Sequence, residues 1–246
     1  MIVLDYDDEA ASYDATRGGE PRAAAAAQAI TALLPPTTRS IVDLACGTGI
    51  VTARLPGRVL GVDRSTGMAS VAAARLPGRI VIGDATRLPL AACSADAVTI
   101  IWLLHLLSLA ESAASIGEAA RVLRPGGVLI TTVNKSDASF RDDDDAAALI
   151  RRFRRSSGPA APDDQARVRR IGAERGLAPA GTATFRGLGQ GKSPRDWREK
   201  YRGVWIASAP HLDEALAALP DQDRPRPDPV YTLLALRKPD HPGSSR

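Results

Sequence analysis

Between residues 41 and 133, short apolar runs alternate with longer stretches whose apolar positions recur at helical spacing. The runs are Ile41 to Leu44, Val59 to Val62, Arg79 to Ile82, Ala97 to Ile101 and Val128 to Val133. Strand and helix in strict alternation predict a parallel sheet with helices on both faces. Ahead of this block an Ala-rich stretch over 20–34 reads as a helix, with Pro21 suited to its first turn and Pro35-Pro36 ending it. A helix-like stretch is also expected directly after the first strand. Behind the block, 136–178 is polar and mostly helical, broken at Ser156-Ser157-Gly158-Pro159. Residues 180–186 read as a sixth strand, 194–219 as two helices around Pro210, and Val230 to Leu236 as a final strand. Residues 239–246 read as a frayed tail.

The first strand runs into Ala45-Cys46-Gly47-Thr48-Gly49. Glycine at 47 and 49 permits positive φ and lets a ligand approach the main chain without a Cβ in the way. That is how a nucleotide-like cofactor is held at the end of a parallel strand. Position 52, where a dinucleotide fingerprint has its third glycine, is Thr52. Asp43 sits inside the strand end, where a pyrophosphate grip asks for no carboxylate. Both features disfavour an NAD-dependent oxidoreductase.

Val42-Asp43-Leu44-Ala45-Cys46-Gly47-Thr48-Gly49 resembles the first motif of the class I S-adenosylmethionine (SAM) methyltransferases, in their small-molecule type. Later motifs follow at workable spacing: Val59-Leu60-Gly61-Val62-Asp63, then Arg79-Ile80-Val81-Ile82-Gly83-Asp84-Ala85, then Leu123-Arg124-Pro125-Gly126-Gly127. Together they cover roughly residues 6 to 135. The resemblance implies a Rossmann-like α/β fold, with a seven-stranded, mostly parallel sheet. The last strand is antiparallel and lies between two others. An N-terminal lid and a helical insertion before the last strands complete it. It also implies a single domain over 1–246, with lid and helices in 1–35, a SAM-binding core in 36–135, and substrate-side helices and C-terminal strands in 136–238.

The resemblance further implies cofactor contacts. Ala45, Gly47 and Gly49 would meet the methionine part of SAM, with Asp43 near its amino group. Asp63 would accept from both ribose hydroxyls, a bidentate contact that a neutral residue cannot match. Arg64 follows it, and Ser65 can cap the next helix. Met68 either packs against adenine or packs in the core. Asp84 would accept from the adenine amine and Ala85 would offer its backbone N–H to the ring. Trp102, after the fourth strand, joins this set. Asp96, at the start of that strand, reads as structural. The segment from Tyr6 to Gly19 is either a surface helix start or a lid in which Tyr13 and Arg17 close over SAM, ordered by the cofactor. Arg17 would then pair with the cofactor's carboxylate.

The remaining chemistry is sparse. Methyl transfer from a sulfonium needs alignment and exclusion of water, and a base only for a protonated acceptor. His105, just after the fourth strand, is the one candidate base; the alternative is a packing histidine. Trp197, Tyr201 and Trp205 either line a substrate pocket or pack helix on helix. No metal is expected. Cys46 and Cys93 make neither a disulfide framework nor a metal site and read as small buried thiols.

Charge excludes little else. Residues 1–135 hold 12 basic and 12 acidic side chains, and 136–246 hold 20 and 16. Arg151, Arg152, Arg154 and Arg155 follow directly on Asp142 to Asp145, which suits the dipole of one solvated helix better than a nucleic-acid stripe. The acidic N-terminus is no signal peptide and the longest apolar run, Val98 to Ala110, is too short to span a bilayer. The expectation is a cytoplasmic enzyme that uses SAM, releases S-adenosylhomocysteine and methylates O, N or C of a small molecule, a natural-product intermediate among the options. The alternatives are a quinone-ring C-methyltransferase and a non-catalytic protein that kept the fold. The acceptor, its pathway and the oligomeric state are not readable.

Overall fold

The computed structural model of the chain describes residues 5–154, 161–202 and 210–240. Seven strands form one sheet: β1 (Ser40–Leu44), β2 (Arg58–Asp63), β3 (Ile80–Ile82), β4 (Ala95–Ile100), β5 (Leu123–Val133), β6 (Ala178–Arg186) and β7 (Val230–Arg237). Their spatial order is β3-β2-β1-β4-β5-β7-β6. β1 to β5 are mutually parallel, and β7 runs antiparallel between β5 and β6. This is the expected Rossmann-like architecture. The chain reverses its direction of travel across the sheet between β1 and β4, and the carboxyl ends of the strands flank that crevice. Ligands of open α/β sheets bind there.

Two short N-terminal helices, α1 (Tyr6–Glu9) and α2 (Tyr13–Thr16), form a strap before α3 (Gly19–Leu33). The core helices are α4 (Thr66–Arg75), α5 (Leu109–Val122) and α7 (Gln165–Glu174). The remaining helices, α6 (Asp145–Arg154), α8 (Pro194–Tyr201) and α9 (Pro210–Ala217), make a cap. One face of the sheet packs Val42, Val98, Leu129 and Leu234 against Ile116 and Ala119 of α5 and Val168 and Ile171 of α7. The other packs Ile41, Ala97, Ile130 and Leu233 against Ala23, Ala26 and Ile30 of α3. Alanines in α3 let that helix approach the sheet closely, so a core poor in aromatics still closes. A third cluster lies within the cap, from Phe140 through Ile150 and Trp197 to Leu212 and Leu216.

Two expectations change. The stretch after the glycine turn is not a helix but a single 3-10 turn, Thr52–Arg54. Pro56 and Gly57 then turn the chain into β2, and Gly57 has φ +77° with room for no Cβ beside the Arg39 carbonyl. Cys93 is exposed rather than buried, in a turn where its φ is +53°. The Leu-Arg-Pro-Gly-Gly turn belongs to β5, where it makes the register shift against β4. Asp96 is structural as read. Burial would raise its carboxyl, but Arg124 and the backbone N–H groups of Arg39 and Ser40 outweigh burial and hold it down to about 2.

Candidate active site

The glycine turn leaves β1 through three residues of positive φ: Ala45 at +54°, Gly47 at +56° and Gly49 at +73°. Its two glycines do different work. A Cβ on Gly47 would meet nothing within 4 Å, so its main chain is open to a ligand. A Cβ on Gly49 would lie 3.1 Å from that of Ala72, so Gly49 serves the approach of α4. The Gly47 N–H donates to Asp63 Oδ2 at 2.7 Å, which ties the turn to the end of β2.

The three strand-end acids are not equivalent. Asp43 is 3% exposed, and its two oxygens accept from the hydroxyls of Thr52 and Thr99, each at 2.6 Å. Burial pushes its carboxyl up to about 6 against those two bonds. Asp43 therefore braces the turn from within, and Thr52 stands where a third glycine would sit because a hydroxyl is needed there. Asp63 is 8% exposed; Oδ1 accepts from the Ser65 N–H at 2.9 Å, and burial raises its carboxyl too. Each Asp63 oxygen has one protein donor and lone-pair capacity left for a hydroxyl. Asp84 is exposed and accepts from the N–H and hydroxyl of Thr86, which lower its carboxyl. Ala85 beside it is half-buried, and Arg64 is exposed. Met68 is 2% exposed, packed in α4 with its N–H bonded to the Ser65 cap.

The strap lies across this edge on two acids that sequence reasoning passed over. Asp7 accepts from the Ser65 hydroxyl at 2.5 Å and the Gly67 N–H at 2.8 Å, at the start of α4. Asp14 accepts from the Thr48 hydroxyl in the glycine turn and from Arg75, each at 2.6 Å. Tyr13 is half-buried with the Arg17 guanidinium 5.5 Å from its ring, and Arg17 pairs with Glu9 at 3.2 Å. Tyr13, Asp14, Arg17, Arg22, Ile50 and Trp102 enclose a residual cavity of about 30 Å³. Gly18, at φ +86° beside the Leu188 carbonyl, and Gly19, at φ +49°, join strap to α3.

The other half of the edge is aromatic and basic. Trp102 leaves β4 at φ +56°, unusual for a large side chain, with its backbone N–H donating to the Thr132 hydroxyl. Its ring meets Phe185 and Tyr231 edge-on at 5.9 and 5.6 Å. The Arg22 guanidinium lies over its other side, 3.4 Å from the ring centroid. His105 lies in a 3-10 turn, Leu104–Leu106, after β4. Burial, with the charges of Lys135 and Arg22 adding to it, pushes its imidazole down to about 3. Lys135 follows β5 and is lowered by burial and by the charges of Arg22 and Arg17. Neither Arg22 nor Lys135 was singled out from the sequence.

The aromatic residues expected over the substrate pack instead within the cap. Trp197 is 4% exposed, 5.3 Å from Phe140 and stacked on Tyr201 at 5.5 Å. Its ring fills the small core between α6, α8 and α9, so the packing alternative describes both residues. Trp205 lies outside the described residues. An open groove of about 450 Å³ runs beside the ends of β6 and β7, between Phe185, Val230 and the Arg186–Asp142 ion pair. Among the described residues no cluster of His, Cys, Asp and Glu could hold a metal ion, and no helix is long and apolar enough to cross a membrane.

Residues 42–131 match the family model of the methyltransferase domain. A demethylmenaquinone methyltransferase of Mycobacterium sp. is 34% identical over 151 residues, which are 53% of this chain and 64% of that protein. One of Beutenbergia cavernae is 43% identical over 94 residues, 37% of this chain and 38% of that protein. The chain thus spans about a third to two thirds of the length of these relatives. Among solved structures, a SAM-dependent methyltransferase of Thermotoga maritima superposes with a TM-score of 0.58 at 18% identity, over 95% of this chain and 98% of that one. The resemblance read from the motifs agrees with these likenesses: strand order and structural likeness are those of the class I methyltransferase fold, and the methyltransferase-domain match covers 42–131.

Proposed function

We propose that this chain, which carries a methyltransferase domain on the class I fold, transfers a methyl group from SAM to a small-molecule acceptor. The observation that carries the reading is the chemistry of the β1–β3 edge. Gly47 offers open main chain, and Asp63 and Asp84 present carboxylates at the ends of adjacent strands. That donor and acceptor set fits an adenosine bearing an amino-acid tail. Asp63 would hold the ribose hydroxyls, Asp84 and Ala85 the adenine, and Gly47 the methionine part. Asp43 would act through the turn it braces, and Arg17 would meet the tail's carboxylate on release from Glu9. SAM supplies the electrophilic methyl group. The protein aligns the acceptor with it and keeps water out, the latter a task for the strap.

His105 orients the acceptor in this reading. The whole chain is one domain that works in the cytoplasm without a metal. Titration with SAM, S-adenosylhomocysteine and NAD tests the cofactor: micromolar binding of the first two and none of NAD is expected, and the reverse order overturns the reading. Turnover on phenols, amines and quinones then separates an enzyme from a binding protein that kept the fold.

A second reading, methylation of a quinone ring, is supported by what the two curated relatives are named for and by the aromatic wall of Trp102, Phe185 and Tyr231. Turnover confined to the quinone arm of the same panel would favour it.

A further inference from the structure

The β4–β7 half of the edge holds more positive charge than its own side chains neutralise. Arg22 is 6% exposed in the first turn of α3. One of its terminal nitrogens donates to the Arg17 carbonyl at 2.8 Å, its face lies on Trp102, and its Nε has no hydrogen-bond partner. A guanidinium so placed has lost its hydration and gained an aromatic face, one carbonyl and the Tyr231 hydroxyl, which still leaves its Nε–H over. Lys135 stands just past the end of β5, three residues after Thr132, whose hydroxyl accepts the backbone N–H of the same Trp102 that Arg22 covers, and the Arg22 charge lowers its pKa.

Three of the nearby acids are committed elsewhere. Glu9 pairs with Arg17, Asp14 with Thr48 and Arg75, and Glu20 with Arg54. Asp163 accepts from the Lys135 backbone N–H at 2.7 Å and its charge partly offsets the Lys135 ammonium, without forming an ion pair with it. His105, which the charges of both cations reach, is held neutral and adds no further positive charge at neutral pH. The N-terminal end of α3 adds its own partial positive charge.

We propose that the acceptor is an organic oxyanion, a carboxylate or phosphate ester, and that Arg22 and Lys135 hold its charged group while Trp102 backs its body. The site rests on the methyl-transfer reading only for the word acceptor; the anion pocket is argued from the cations themselves. The other source of the same chemistry is the carboxylate of SAM. The enclosed space is too small for either until the strap lifts at Gly18 and Gly19, so binding of the acid and movement of the strap go together.

The experiment measures binding of 4-hydroxybenzoate and phenyl phosphate against neutral 4-hydroxybenzamide, to the full chain, with and without saturating S-adenosylhomocysteine. At least one acid should bind tenfold or more tighter than the amide. Lys135→Met should erase that preference and leave S-adenosylhomocysteine affinity within twofold, and Lys135→Arg should restore it. Lys135 has no side-chain hydrogen bond among the described residues, so the variant tests charge and not folding; Arg22→Lys provides the second probe. No preference for either acid in the wild type overturns the proposal. So does a Lys135→Met variant that loses S-adenosylhomocysteine instead, since the cations would then serve the cofactor's carboxylate. Failure of S-adenosylhomocysteine to bind at all sinks the cofactor reading while the acid-against-amide comparison stays readable.

Discussion

The two halves of the carboxyl edge are built from opposite chemistry. From β1 to β3 it presents Asp43, Asp63 and Asp84, all drawn from one stretch of about forty residues. From β4 to β7 it presents Trp102, His105, Lys135 and Arg22, gathered from the N-terminal part of the chain and its middle. Acids accept from hydroxyls and amines, so the first half suits the neutral, donor-rich part of a nucleoside. Buried cations that no carboxylate pairs with directly suit an anion. On the proposed reading the sheet switch point divides recognition, with one ligand class on each side of it.

The largest effect should come from the cap, and it bears on where the second half ends. Trp197→Ala should cost about 3–5 kcal/mol of stability, since it empties the core that Phe140, Tyr201 and Leu212 share. Calorimetry reads that loss, and titration should give S-adenosylhomocysteine affinity within twofold of wild type. A folded variant whose acceptor KM rises tenfold with unchanged stability would move the boundary, making the cap part of the acceptor half.

Asp63→Ala comes next, as the break in the first half. It removes a charged acceptor from the Gly47 and Ser65 N–H groups and from the proposed ribose contact. The cost should be roughly 1.5–3 kcal/mol in S-adenosylhomocysteine binding, ten- to hundredfold. Asp84→Ala should cost less, because Asp84 is exposed and holds only its own turn. Equal losses from both would erase the gradient from buried to exposed acid that the structure displays.

The contrast also explains what was legible in the amino-acid order. The first half could be read almost whole, because strand, small-residue turn and acid follow one another along the chain and each acid marks a strand end. The five parallel strands were legible because buried parallel strands are apolar, whereas β7 showed as a continuous apolar run and β6 only as a short run at the sheet's exposed edge. The stretch after Gly49 was misread because Ile50-Val51-Thr52-Ala53-Arg54 has helical composition, and only the proximity of Pro56-Gly57 to β2 denies it a second turn. Arg22 reads as the solvated start of an Ala-rich helix until the fold lays α3 under Trp102. Lys135 reads as a loop lysine until β5 delivers it beside β4. Trp197 carried no mark of packing or binding, since the same ring does either. Asp7 and Asp14 were invisible because helix capping across about sixty residues of chain leaves no local pattern.

The strap joins the halves, and it is the third place to press. Asp14→Ala removes the bonds to Thr48 and Arg75, a charge-assisted pair with about a fifth to a third of each side chain exposed, and should cost about 1–2 kcal/mol. Hydrogen exchange in residues 5–17 should quicken in the variant without change in the β-strands. S-adenosylhomocysteine should slow it again if the strap closes over cofactor. Exchange that is indifferent to both the substitution and the ligand would make the strap a fixed surface element and remove Tyr13 and Arg17 from the site.

The smallest effect is expected at His105. An imidazole pushed down to about 3 is neutral from pH 5 to 8, yet it is a feeble base for a phenol or an ammonium. It can still accept a hydrogen bond and set the acceptor's angle. His105→Ala should therefore lower kcat by less than about tenfold, under ~1.4 kcal/mol, and the wild-type profile between pH 5 and 8 should show no inflection that the variant lacks. Stability supplies the independent reading. The folded value lies below the ordinary 6.5, so the unfolded chain takes the proton first. The contribution is present above about pH 6.5 and is lost as pH falls toward 3, roughly 1–2 kcal/mol by pH 5. His105→Gln should flatten that acid limb. A hundredfold loss of kcat, with a near-neutral inflection that vanishes in the variant, would make His105 a proton acceptor in the complex. It would then need a neighbouring negative charge to raise it out of its cationic surroundings, and the acceptor's own oxyanion on Arg22 and Lys135 is the group in reach. The comparison would be sharpened rather than lost: the anion would both anchor the acceptor and switch on its base.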